Sequence, residues 1–115
     1  MWNEKAVSVT VPARRLERLV EEAGIGRPDW IKIDIEGAEL EALQGSAAWF
    51  KANRPHMVLE WNTGTLLGQE AALRRLLTEE FGYRLRRIMP EGHSRPLLDG
   101  ELERAEHFDM VALPA

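Results

Sequence analysis

Apolar and polar residues alternate over positions 6–11, with Val7, Val9 and Val11 on one side and Ala6, Ser8 and Thr10 on the other. A period of two predicts a half-buried strand, and Pro12 ends it. Leu16, Leu19, Val20 and Ala23 then recur at helical spacing with arginines and glutamates between them, and Gly24 suits the left-handed residue that closes a helix. Residues 30–33, Trp-Ile-Lys-Ile, predict a second strand. It passes through Asp34 and Glu36 to Gly37 and then to a helical stripe of Leu40, Leu43, Ala47 and Phe50 that runs to about position 52. Gly45 weakens that helix by roughly 1 kcal/mol relative to alanine. After Pro55 the chain is extended again: residues 56–61 predict a third strand, with a loop over 62–64 at its carboxyl end. A third helix is expected over 69–81, facing inward through Ala72, Leu73, Leu76, Leu77 and Phe81 and closed by Gly82. A fourth strand over 83–89, a long polar connection over 90–107 and a closing strand over 108–113 complete the pattern.

Strands that alternate with helices of this length imply right-handed crossovers and an α/β fold with a mainly parallel sheet. The last two strands lack a helix between them, so the C-terminal strand is expected to be antiparallel. The connection over 90–107 is longer than a hairpin loop and is expected to be functional or mobile. With 115 residues, and neither a repeat nor a linker, the sequence reads as a single domain over 1–115.

Composition narrows the function. A formal charge of −4 and a pI near 5.4 argue against nucleic acid or an anionic membrane as the main partner, and Arg84, Arg86 and Arg87 are expected on the wet face of a strand. The chain has no cysteine, which removes disulfides and thiolate metal sites and is compatible with a reducing, cytoplasmic setting. No apolar run approaches the roughly 18 residues of a spanning helix, and the first residues lack the layout of a secretory signal.

Chemistry is expected where the second and third strands end, because ligands of open α/β sheets bind outside the carboxyl ends of the strands. Asp34 and Glu36 are two apart on an extended segment and point to the same side, where Glu39 can join them around an amine, a hydroxyl or a cation. Alternatively, Glu36 and Glu39 complement the positive start of the following helix. Gly37 allows close approach of a ligand or fits the tight bend. Glu60, Trp61 and Asn62 end the next strand and are candidates for contact with a substrate, with core packing as the other role of Trp61. Together Asp34, Glu36 and Glu60 are expected to line one hollow. Of the histidines, His56 is expected to be structural, while His93 and His107 can reach the mouth of a pocket. A divalent-metal site is the weaker reading, since the Asp-x-Glu-Gly run lacks the spacing of an EF-hand loop, and no metal ligand is assigned. Neither a P-loop nor a serine-hydrolase elbow is present.

The Leu16-Glu17-Arg18-Leu19 helix, the run Lys32-Ile33-Asp34-Ile35-Glu36-Gly37-Ala38-Glu39, the following Leu43-Gln44-Gly45, Pro55, Val58-Leu59-Glu60, Phe81-Gly82-Tyr83 and the Phe108–Leu113 end resemble the C-terminal half of FkbM-type methyltransferases. The resemblance covers nearly the whole chain. It implies a Rossmann-like methyltransferase fold whose N-terminal cofactor-binding half is missing, and S-adenosylmethionine as cofactor. It also implies methylation of a hydroxyl on a small molecule, sugar or glycolipid. On that basis Asp34 and Gly37 are the expected cofactor contacts, Asp34 and Glu36 the expected catalytic pair, and Glu39, Glu60, Trp61 and Asn62 the expected acceptor contacts. The sequence departs from the family in having no D-x-G-x-x-x-G turn, and in Arg14-Arg15-Leu16-Glu17, where a Thr-Leu-Asp pattern is usual. The resemblance further implies that the second strand has lost its neighbour and forms a bare edge. The alternative function is then a non-catalytic truncated relative or subunit that associates, as a homo-oligomer among other forms, through that edge.

Overall fold

A computed structural model of the chain describes residues 8, 10, 13–104 and 107–115. The strand expected over 6–11 lies outside the described residues, except for Ser8 and Thr10, which are exposed and belong to no strand. Helix α1, Leu16–Ala23, ends on Gly24 at φ 64°, the left-handed closure that the glycine predicts. Strand β1, Trp30–Ile33, agrees with its expected bounds.

The single helix expected as far as position 52 is two helices, α2, Glu39–Gly45, and α3, Ala47–Asn53. The break falls at Ser46 (φ −120°, ψ 26°), directly after the weak helix former Gly45. Buried Ser46 donates its hydroxyl to Glu17 Oε2 at 3.0 Å, tying the break to α1. Strand β2, His56–Asn62, leads into a short helix α4, Thr63–Leu66, where a loop was expected, because the Asn62 side chain caps it by accepting from Gly64 N at 2.9 Å. The third expected helix is α5, Glu70–Arg75, continued by a π-helical turn over Leu76–Glu80. Strand β3, Tyr83–Ile88, follows.

The polar connection over 90–107 carries structure of its own: β4, Ser94–Pro96, and a short helix α6, Glu101–Arg104. One buried carboxylate organises it. Glu101 is 5% exposed, bonds Arg95 and Arg87, and accepts from the backbone N–H of Leu98 at 2.9 Å. These bonds, Arg95 first, hold its carboxyl down to about 2 against the opposing effect of burial. Arg87 also lies over the Phe108 ring, 4.8 Å from its centroid.

Strand β5, His107–Pro114, closes a five-stranded sheet of order β1-β2-β5-β3-β4. The expectation of a mainly parallel sheet is corrected, since among the described residues β1 and β2 form the one parallel pair and the other pairings are antiparallel. The physical reason is where β5 goes. The β3–β4 hairpin reverses the chain, and β5, which follows α6, runs opposite to β3 and inserts between β2 and β3, so two strands of the same direction are separated by one of the other. The antiparallel C-terminal strand is thus as expected, and β1 stands at the sheet's edge. Met57, Leu59 and Trp61 of β2 share one face with Phe108, Met110 and Ala112 of β5, and Leu43, Phe50, Leu66, Leu73, Leu77 and Phe81 pack on that face. The opposite face carries Lys32, Val58, Glu60, Asn62, His107 and Asp109, all half-buried or exposed.

Candidate functional site

The parallel register Ile33↔Leu59 makes Asp34 and Glu60 the next residue on each of two neighbouring strands, at their carboxyl ends. After Asp34 the backbone turns sharply, with Glu36 at φ 53° and Gly37 at φ 98°. Glu39 holds this turn. It is 2% exposed, and its two oxygens accept from Ile35 N and Gly37 N, each at 3.0 Å. A carboxylate at the first residue of α2 therefore takes up two backbone donors that would otherwise be free. Gly37 is pressed against the chain that follows β2: a Cβ there would lie 2.3 Å from the Thr65 carbonyl oxygen. The close approach its missing side chain permits is thus to α4.

Asp34 itself is exposed and lines a groove of about 860 Å³ between α1, the outer side of β1, and α2 with α3. Leu16, Leu19, Ile31, Ile33, Leu43 and Phe50 give the groove an apolar lining, with Arg14, Arg15, Lys32 and Glu41 as charged groups. Glu36 and Glu60 do not line it, so the expectation that they share one hollow with Asp34 is corrected. The cause lies in the backbone. The left-handed turn at Glu36 and Gly37 closes back on Glu39, and Glu60 alternates away from the core side of β2.

Glu60 instead meets β5. His107 Nε2 lies 3.1 Å from Glu60 Oε1, and Asp109 stands directly opposite Glu60 in the antiparallel register. Trp61 is fully buried and donates its indole N–H to the Leu102 carbonyl at 3.0 Å, which gives it the core-packing role and leaves no face for an acceptor. The Asn62 side chain is engaged as the cap of α4. His93 lies exposed beside Glu91, and His56 stacks on Trp30 with ring centroids 4.6 Å apart.

His107 is expected at the mouth of a pocket, but its link to Glu60 is not, because that depends on a register between distant strands. A weak signal existed in its parity with Asp109, opposite to the apolar Phe108 and Met110. Among the described residues no group of three or more His, Asp or Glu is gathered as metal ligands. No helix among them is long and apolar enough to cross a membrane.

Comparison with known proteins found no match among curated proteins or among solved structures. A family model, the methyltransferase FkbM domain, matches residues 3–85 and so takes in α1, β1, the Asp34–Glu39 turn, β2 and the start of β3. The chain belongs to the FkbM methyltransferase family.

Proposed function

We propose that this chain forms the acceptor side of an S-adenosylmethionine-dependent O-methyltransferase site, acting on a hydroxyl of a small molecule, sugar or glycolipid. The single observation that carries this is the parallel pairing of β1 with β2, which brings Asp34 and Glu60 to one end of the sheet, with Asp34 on an apolar groove. The described residues fit the sulfonium and acceptor end of such a ligand. Asp34 is an exposed carboxylate with no fixed partner among the described residues, suited to a positively charged sulfonium and to a hydroxyl hydrogen bond. Glu36, the expected second carboxylate, lies two residues on, outside the groove's lining. Nothing among the described residues takes the part of a glycine-rich turn for the nucleotide end, because the amides of Ile35 and Gly37 are held by Glu39.

When bound, the cofactor supplies an electrophilic methyl group; the protein's own task is to align an oxygen with it and to manage one proton. A small-molecule acceptor accords with a net charge of −4, and a cytoplasmic setting with a chain that has no cysteine. Calorimetric titration with S-adenosylmethionine tests the proposal: binding that weakens at least tenfold in Asp34→Asn supports it, and absence of heat at millimolar ligand withdraws it for this chain.

A second reading is favoured by a different observation. Among the described residues β1 is the outer strand, Trp30 on it is 56% exposed, and the groove runs along its outer side. Such an edge is a template for a further strand, so the chain would act as a non-catalytic subunit that associates there. Light scattering separates the two, since this reading requires dimers or larger species and no cofactor affinity.

A further inference from the structure

Methyl transfer to an alcohol releases a proton, and an imidazole is by its chemistry a better acceptor for it than a carboxylate. Asp34 and Glu36 are both exposed. The same end of the sheet holds a better group. In β5, His107 shares a face with Asp109 and stands opposite Asn62, and its Nε2 is 3.1 Å from Glu60 Oε1. The side chain of Glu60 is 23% exposed and that of His107 60%, so the carboxylate is the sheltered partner and the imidazole the accessible one. A neutral imidazole has one donor and one acceptor nitrogen. With Nε2–H directed at a carboxylate, Nδ1 is the free acceptor, and a carboxylate so placed fixes the tautomer and stabilises the imidazolium that forms.

We propose that His107 is the proton acceptor of the site and Glu60 its positioning residue; this rests on the methyl-transfer reading above. The proton passes from the acceptor hydroxyl to His107 Nδ1. The oxygen lone pair forms the new C–O bond as the methyl group leaves a sulfonium donor, which departs as a neutral thioether. Among the described residues, the charged and titratable groups near His107 are Glu60 on β2 and Asp109 on β5, with Asp34 next to Glu60 in the β1–β2 register. His107 is exposed, so its replacement leaves the core intact.

The test uses the full chain and its three histidines, His56, His93 and His107. Long-range ¹H–¹⁵N spectra of the rings report the tautomer of each. The Nε2–H form is expected for His107, with that preference lost in Glu60→Gln while His56 and His93 are unchanged. Transfer of a labelled methyl group to methyl glucoside is expected to fall about 100-fold in His107→Ala. Added imidazole should restore it, and donor affinity, measured by equilibrium dialysis, should be unchanged. An Nδ1–H ring, a tautomer indifferent to Glu60→Gln, or an His107→Ala variant with full activity overturns the proposal while the methyl-transfer reading stands. Absence of donor binding in a chain whose His107 has the expected tautomer overturns that reading, and the destination of the proton with it.

Discussion

Gly37 shows how much one missing side chain decides. Its φ of 98° is a conformation that L residues rarely adopt, and the Thr65 carbonyl occupies the space a Cβ would need. Gly24 is also left-handed, at φ 64°, but faces open space. Gly37→Ala is therefore expected to destabilise by about 3 kcal/mol or more and Gly24→Ala by about 1 kcal/mol, read from urea midpoints at constant slope. Glu39→Gln keeps the size of the side chain but gives up one of two charge-assisted bonds, and a loss of about 1–2 kcal/mol is expected by the same measurement. At this scale the sequence was legible where parity spoke. Asp34 lies at the strand end as its place after Trp-Ile-Lys-Ile predicts, and Trp61 shares the parity of the apolar Met57 and Leu59, a signal that favours the core. What Glu39 does was beyond pattern, because it follows from a backbone turn two residues earlier.

Among the elements, the longer strands and helices follow from periodicity, and the misjudged ones are short. Ser46 divides one expected helix, and β4 and α6 lie in what reads as polar loop. Elements of three or four residues have no intrinsic stability and exist through tertiary bonds, here those from Glu101 to Arg95, Arg87 and Leu98 N. This makes the segment sensitive to acid. A carboxyl at about 2 in the folded chain, below its ordinary value, contributes stability that is complete above roughly pH 5 and fades as pH falls toward 2. Urea midpoints between pH 6 and pH 2.5 are expected to fall less in Glu101→Gln than in the parent. Glu101→Ala leaves two arginines without their buried partner, and a loss of about 3 kcal/mol is expected at pH 7.

For the whole molecule, the direction of the helix-linked strands β1, β2 and β3 was legible, but their neighbours were not. No local pattern states that a strand late in the chain enters between two earlier ones. Sheet order is a long-range outcome of which apolar faces fit, here Met110 and Ala112 beside Leu59 and Met57. The outer position of β1 gives a prediction at this scale. If copies associate along its free side, Ile31→Lys, which sets a charge in the apolar groove, is expected to shift the light-scattering mass toward the monomer, and Leu98→Lys, exposed on a remote segment, is expected to leave it unchanged.

β5 pairs with both β2 and β3, yet it follows every other strand in the sequence. On the ribosome, β1 and β2 emerge and can zip together early, while β3 and β4 wait as a detached hairpin until β5, translated after them, arrives as the keystone between β2 and β3. A nascent chain stalled before position 107 should consequently be open to protease and bound by chaperones, and compaction should come as one late step once His107–Pro114 has cleared the exit tunnel.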